Sequence, residues 1–349
     1  MKTNSMLGTI CLALLVVSAL SYRHSVTRAE RFERGQKFLA QLNADEIDRI
    51  EITRGEEAVT LKRGEESFLV ASQHNYPAKN DAINRFINDA LSISLEKEVG
   101  SGEKLETELE LATGTEAATE YVFKNDAGKV LVHFMVGKSS EDGRGSYLKH
   151  LNKDDQAVYL SSKGVFLSTK ADHFLKKSIL DVASDKIQKI SGKDFTISDV
   201  EGSLKLDNLP AGKKEGSELS GVKNMLSSLS FDNVFLADDS QVTSLNFNES
   251  VSVALKDKSS YKIEVASKDD KHYLRLSAQF DAEQIRLGRD DTKEQLEEYS
   301  ATLTRNDEVT EFNNFHGSWV YEVSEFTAKK FIKTRAELIE DEKKDDTEG

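Results

Sequence analysis

Two stretches of this chain, 140 residues apart, repeat one pattern. NADEIDRIEI begins at Asn43 and ASDKIQKISG begins at Ala183, and in each an aspartate precedes two isoleucines that are three positions apart. Self-similarity at a fixed spacing indicates a duplicated structural module, which constrains the fold more than any single motif does. The repeated residues are of types that pack or turn a chain, so the repeat predicts a scaffold and not a reaction.

The order of the predicted elements after each opening is also shared. Apolar residues at spacings of three and four predict amphipathic helices over residues 83–91 and 222–229. Paired strands with alternating polar and apolar residues follow, and each copy closes on a strand and a short helix. The closing strands match Tyr159 with Tyr321, 162 residues on, so the second copy has 22 extra residues.

The extra residues lie around Asp281–Ser318, where we expect a helix from Thr292 to Ala301. We predict an α+β fold of two tandem, duplicated lobes of antiparallel sheet with packed helices, after one N-terminal hydrophobic helix. Two unrelated α+β lobes that share only common patterns are the alternative. The predicted segments are a membrane anchor or signal segment (1–22), a juxtamembrane helix or linker (23–42), a first α+β repeat (43–180), a second α+β repeat with the insertion (181–338) and a disordered acidic tail (339–349).

Charge and cysteine content exclude several classes of function. The 349 residues carry a net charge of −14, which repels phosphate backbones, and no basic cluster with interleaved aromatic residues is present, so we expect no nucleic-acid binding. Cys11 is the only cysteine, so the body of the protein has neither a disulfide nor thiolate chemistry.

An uncharged run near the N-terminus, Met6–Leu20, departs from this soluble pattern. Its length lies between a signal-peptide core and a full membrane span, so we expect a short anchor helix over residues 6–22, with a cleaved signal as the alternative. Four arginines follow the run, and the positive-inside rule would keep them in the cytoplasm, which conflicts with export of the body. Charge alone therefore leaves the orientation open.

Seven histidines and several acidic pairs invite a search for a reactive site. No histidine pair has the spacing of helix ligands, and the frameworks of a calcium loop, a phosphate loop and a nucleophile elbow are absent from the sequence. We therefore predict that the protein is not an enzyme and holds no cofactor or metal. His316, Trp319 and Tyr321, near the final strand, are the candidates for ligand binding, with a packed core as the alternative reading.

Four segments carry a resemblance to a known family. They are the Asp-x-Ile-x-x-Ile-x-Ile opening at Asp45–Ile52, AVTLKRGEESFLV at Ala58–Val70, YPAKNDAINRFINDALSIS at Tyr76–Ser94, and VGKSSEDGRGSYLKHLNKDDQAVYLSS at Val136–Ser162. With them the chain resembles a family of bacterial membrane-anchored proteins, the domain of unknown function numbered 4340. The match is best over residues 7–180, although Phe68 stands where the family usually has a tryptophan.

The resemblance implies a protein of the bacterial inner membrane with a single anchor and a body in the periplasm or otherwise outside the cytoplasm. Relatives are commonly encoded beside ABC-type transporters similar to gliding-motility components. We therefore expect an accessory or scaffold protein that partners subunits of an ABC-type transporter. The alternatives are a module that binds an envelope ligand or polymer and, less favoured, a hydrolase whose site forms only in three dimensions.

Overall fold

The computed structural model describes residues 14–19, 33–152, 156–281 and 292–342. The chain divides into two compact units between Lys176 and Lys177. Residues 14–19 are helical, and no helix in the described ranges is both long and apolar enough to cross a membrane. The predicted anchor at residues 6–22 lies mostly outside the described residues.

The described residues of the first unit form a nine-stranded sheet in the order β4-β3-β2-β1-β6-β7-β8-β9-β5. Every neighbouring pair in it is antiparallel. Its strands are β1 Arg49–Arg54, β2 Glu57–Arg63, β3 Phe68–Val70, β4 Tyr76–Pro77, β5 Leu95–Ser101, β6 Thr119–Lys124, β7 Val130–Ser139, β8 Ser146–His150 and β9 Ala157–Ser161. Its helices are α1 Asn80–Ser92, α2 Glu103–Glu108 and α3 Ala171–Phe174.

In its described part the second unit has an eight-stranded sheet in the order β13-β12-β11-β17-β18-β19-β20-β16, again antiparallel throughout. Two short pairs, β10 with β15 and β14 with β21, lie outside it. The strands are β10 Ser178–Leu180, β11 Ile187–Ser191, β12 Thr196–Val200, β13 Ser203–Leu206, β14 Lys213–Glu215, β15 Leu229–Ser230, β16 Asn233–Leu236, β17 Glu249–Leu255, β18 Ser259–Lys268, β19 Lys271–Phe280, β20 Trp319–Val323 and β21 Ile339–Asp341. The helices are α4 Leu219–Lys223, α5 Ser240–Thr243, α6 Lys293–His316 and α7 Glu325–Lys329. The predicted mixture of helices with antiparallel sheets is thus confirmed.

The two large sheets follow the same path through the chain. In each, three consecutive strands pair in order (β1 to β3, and β11 to β13), and the first of them also pairs with a four-strand meander (β6 to β9, and β17 to β20). The strand that precedes the meander in sequence, β5 or β16, pairs with the meander's last strand at the far edge. Eight strands of each unit therefore share one order.

The repeated sequence opening marks the entry to the first strand of each sheet. Ile47 and Ile50 in the first unit, and Ile187 and Ile190 in the second, are all fully buried. A single 3₁₀ turn precedes each pair, at Ala44–Glu46 and Ser184–Lys186. Burial of four large aliphatic side chains at equivalent positions explains why the pattern consists of isoleucines.

The amphipathic helix predicted in the first repeat is confirmed. α1 buries Ala82, Ile83, Phe86, Ile87 and Ala90 along one face. The helix predicted over residues 222–229 is shorter, because α4 ends at Lys223 and Leu229 already belongs to β15. Poor helix formers stand in and after α4, with a glycine inside it and two serines beyond, which explains its early end.

The segment before the first repeat is not a free linker in its described part. Residues 33–42 form turns and an isolated bridge between Lys37 and Ser94. Phe38 is buried and its ring stacks 4.0 Å from the ring of His150. The predicted start of the first lobe at residue 43 is therefore too late, since the apolar residues of the charged linker pack into the first unit.

Two further boundaries differ from the sequence analysis. The helix expected over Thr292–Ala301 runs to His316, because its second half packs on the sheet. The expected acidic tail begins too early at residue 339, since Ile339–Asp341 pairs with Lys213–Glu215 as an antiparallel strand. Residues 343–349 lie outside the described ranges.

Candidate functional site

The three candidate ligand-binding residues lie together in the second unit. His316 is the last residue of α6, and Trp319 and Tyr321 are the first and third residues of β20. All three are buried, and His316 Nδ1 lies 2.7 Å from the Tyr321 hydroxyl oxygen. The structure therefore places them in a packed interior at the junction of helix and strand, and a ligand-binding role for them stays a prediction.

This junction holds the end of α6 in place. The ring of Phe312 lies 4.2 Å from that of His316 and 5.1 Å from that of Tyr261, measured between centroids. Aromatic pairs at such distances contribute beyond their area burial. The C-terminal turn of α6 is thus packed against strands β18 and β20 by aromatic side chains.

The N-terminal end of α6 is set by a reciprocal pair of hydrogen bonds. The Thr292 hydroxyl accepts from the backbone N–H of Gln295 at 3.3 Å, and the Gln295 side chain accepts from the backbone N–H of Thr292 at 2.8 Å. This capping box satisfies donors that the first helical turn leaves open. From there the helix extends for 24 residues, about 36 Å.

The side-chain amide of Asn313, near the C-terminal end of α6, hydrogen-bonds to strand β19. The Asn313 amide nitrogen donates to the carbonyl of Ala278 at 2.8 Å, and its oxygen accepts from the N–H of Ala278 at 2.7 Å. Strand β20 pairs only with His272–Leu274 of β19, so Asn313 supplies partners to β19 beyond the end of that ladder. The helix therefore completes a sheet edge as well as packing on it.

An ion pair fixes α6 to the β17–β18 turn. An Arg305 guanidinium nitrogen lies 2.9 Å from Oδ2 of Asp257, and Oδ1 of the same carboxylate accepts hydrogen bonds from the hydroxyl and the N–H of Ser259 at 2.5 and 3.0 Å. Burial acts to raise the pKa of Asp257, but these hydrogen bonds and the Arg305 charge outweigh it and lower the pKa below its ordinary value. The carboxylate is therefore charged and paired at neutral pH.

The outer surface of α6 is exposed, acidic and apolar in places. The side chains of Leu296 and Leu303, seven residues apart and so on one face, are 49% and 46% exposed. The helix carries six carboxylates and two basic side chains. Within the described ranges no cluster of three or more His, Cys, Asp or Glu residues could hold a metal ion. We define the α6 surface as the exposed face that contains Leu296 and Leu303.

The sequence reasoning missed the residues that hold α6 against the sheet. The spacing of the extra residues pointed to the right segment, and the expected start at Thr292 is the N-cap of the helix. Asn313 and Arg305 could not be singled out, since their partners Ala278 and Asp257 are distant in sequence.

A family model described as "Domain of unknown function (DUF4340)" matches residues 69–249, which is more than half of the chain. The chain belongs to this family. The match begins in β3 and ends at the first residue of β17, so α6 lies outside the part that the DUF4340 model describes. Neither a curated protein nor a solved structure matches the chain.

Proposed function

We propose that this DUF4340 protein is a non-enzymatic accessory protein of the bacterial envelope that binds a partner protein through the α6 surface. The proposed location is the inner membrane, with one anchor at residues 6–22 and the body in the periplasm or otherwise outside the cytoplasm. The proposed partner is a subunit of an ABC-type transporter. The uncharged N-terminal run and the family resemblance support the location and the class of partner.

The observation that carries the proposed surface is the exposure of apolar side chains on a firmly held helix. Leu296 and Leu303 each leave about half of their side chains in water, although the helix around them is strongly polar. A helix that is fixed at Asn313 and Arg305 loses little conformational freedom when a partner covers it. The acidic side chains around the leucines favour a partner surface with basic groups around apolar ones.

We also infer that the two units descend from one duplicated module. The shared order of eight strands and the buried isoleucines of both openings support this inference. The connection from β8 to β9 has six residues, whereas the connection from β19 to β20 has 38 and contains α6. Since the first connection is too short for such a helix, α6 distinguishes the second unit and is suited to give it a partner of its own.

The test is site-specific photo-crosslinking of the full chain in its native membrane. A photoreactive residue replaces Leu303 in one variant and Phe326 in a matched control, because Phe326 is also exposed on a helix of the second unit. We expect a transporter subunit to be crosslinked from position 303 and not from position 326. The double variant Leu296→Glu/Leu303→Glu should lose co-purification of that subunit while its circular dichroism is unchanged.

The possible failures are distinguishable. If no transporter subunit is recovered with the unaltered chain, the proposed partner is wrong. If a subunit is recovered equally well with the double glutamate variant, the partner stands but the α6 surface does not bind it.

A further inference from the structure

A pocket in the first unit, remote in sequence from α6, is lined by residues from six separate segments. Its lining includes Arg54 at the end of β1, Arg85 and Asp89 in α1, Thr119 and Tyr121 in β6, Val136 in β7, the loop of residues 165–169, and His173 in α3. Its volume is about 450 Å³, within the range of small-molecule sites. We call this cavity the arginine pocket.

The arginine pocket has more arginine than acidic side chains in its lining, whereas the whole chain has an excess of acidic residues. Its lining contains two arginines, one carboxylate residue, Asp89, and His173, in a protein whose net charge is −14. Neither Arg54 nor Arg85 forms an ion pair with any residue that the structure describes, and Arg54 Nε donates only to the backbone oxygen of Glu116, at 3.3 Å. A guanidinium has five N–H donors in a planar fork, so most of those of both arginines are available to a ligand.

The hydroxyl groups of Tyr121 and Thr119 lie near the Arg54 charge and bond to groups of the protein itself. The hydroxyl of Tyr121 donates to the backbone oxygen of Leu167 at 3.2 Å and also contacts the Thr119 side chain. Burial raises the pKa of Tyr121 above its ordinary value, against the opposing effects of Thr119 and the Arg54 charge, so its hydroxyl stays protonated. Because the single hydroxyl proton of Tyr121 is donated to Leu167, the guanidinium groups of Arg54 and Arg85 are the donors that a ligand oxyanion would contact.

The rest of the lining mixes polar residues with apolar ones, and one of the apolar side chains is largely exposed. Phe86 forms part of it from the core, and the side chain of Phe166, in the loop, is 85% exposed. The loop is held in place on both sides of Phe166, since the N–H of Val165 donates to the Ser146 hydroxyl at 3.0 Å and Leu167 accepts from Tyr121. A fixed loop therefore presents an aromatic ring at the mouth of a charged pocket.

We propose that the arginine pocket binds a monoanionic organic carboxylate with an apolar body. The carboxylate lies against Arg54 and Arg85, and the apolar body covers Phe166. With His173 counted as neutral, the two arginines and Asp89 give the arginine pocket a net charge of +1, which a single carboxylate balances, and Asp89 would repel a dianionic phosphate. This proposal rests on the first unit alone and does not depend on the α6 surface.

The test is a binding series on the full chain in detergent at neutral pH, followed by calorimetry. The probe is 3-phenylpropionate, and 3-phenylpropanol, 3-phenylpropylamine and phenyl phosphate share the ring but differ in charge. We expect saturable binding of the carboxylate with a Kd below about 1 mM and at least about tenfold weaker binding of the other three. Failure of the carboxylate to saturate up to about 10 mM, or equal binding of the alcohol or the phosphate, would overturn the proposal.

Variants then locate the site. Arg54→Gln and Arg85→Gln should each weaken binding at least about tenfold, since a hydrogen bond to a charged group is lost. Phe166→Ala should weaken binding while the preference for the carboxylate persists, and the exposure of Phe166 makes a folding defect an inadequate explanation. Arg49→Gln, on the same strand but outside the pocket, is the matched control and should bind within about twofold of the unaltered chain. Binding that survives both pocket arginine variants would refute the assignment.

Discussion

An ion pair inside the first unit allows a direct test of how burial sets the strength of a charge interaction. Lys149 in β8 and Glu106 in α2 approach to 2.5 Å, with side chains only 7% and 16% exposed. Leu105 and Leu109, on either side of Glu106 in sequence, pack in one apolar cluster with Val158. The pair is therefore held where water cannot solvate either charge well.

Removing one partner of the Lys149–Glu106 pair should lower the free energy of unfolding by far more than the loss of an exposed ion pair does. Glu106→Gln leaves the Lys149 ammonium buried without its counter-charge, a change that typically costs about 3–5 kcal/mol. Because glutamine can still accept one hydrogen bond, we expect a loss near the lower limit, about 3 kcal/mol. The double variant Glu106→Gln/Lys149→Met should recover at least about 1 kcal/mol relative to the sum of the single changes.

Hydrogen exchange read by mass spectrometry measures this loss in the intact chain. Amides of β8 should exchange roughly 150-fold faster in Glu106→Gln, since each 1.4 kcal/mol corresponds to a factor of about ten in the opening equilibrium. Peptides from the second unit provide an internal reference, because that unit is a separate compact body.

The matched control is an ion pair of nearly equal length on the surface of the same unit. Arg34 and Glu96 approach to 2.6 Å, but their side chains are 77% and 35% exposed. Glu96→Gln should change stability by less than about 1 kcal/mol. The reasoning from burial is refuted if both glutamine variants lose the same stability, or if the Glu106 and Lys149 changes are additive.

Two further predictions concern the ends of the described chain. Phe38→Ala should destabilise the first unit by about 3–5 kcal/mol, because its ring is buried against His150, and unchanged exchange of β7 and β8 amides would show that residues 33–42 are only a linker. Hydrogen bonds to Glu337 from the Thr334 N–H, Lys333 and the Thr334 hydroxyl lower its pKa from 4.5 to about 2. Its contribution is therefore present above about pH 4.5 and is lost as pH falls towards 2, although its exposure weakens it. Thermal unfolding followed by the fluorescence of Trp319 should become less sensitive to pH in this window in Glu337→Gln, and an unaltered pH profile would contradict this assignment.

The sequence was informative where local spacing and burial agree. The isoleucines at positions 47, 50, 187 and 190 repeat because they enter equivalent strands, and all of them are buried. The face of α1 could be predicted for the same reason, since its apolar period matches the surface that it covers. The spacing of apolar residues is enough to predict which face of an element is buried when one face is apolar and the other is polar.

The same reasoning could not give the full length of α6 or the composition of the arginine pocket. α6 packs partly through polar groups, the amide of Asn313 and the guanidinium of Arg305. Its apolar residues therefore do not recur at a regular helical spacing from which its length could be predicted. The pocket depends on Arg54, Arg85 and Tyr121 meeting in space, and each of them alone is an ordinary residue of a strand or a helix. Convergence of distant segments is a tertiary property that spacing does not record.

The two large sheets therefore have the same strand order over eight strands, and the units differ in the helices and loops around them. Among the described residues, the longest helix of the first unit, α1, precedes β5, whereas that of the second unit, α6, follows β19. A partner that recognised only the shared strands would find two equivalent surfaces on each chain. The α6 surface belongs to the second unit and the arginine pocket to the first. A partner or ligand that binds either of them would therefore distinguish two units whose sheets have the same strand order.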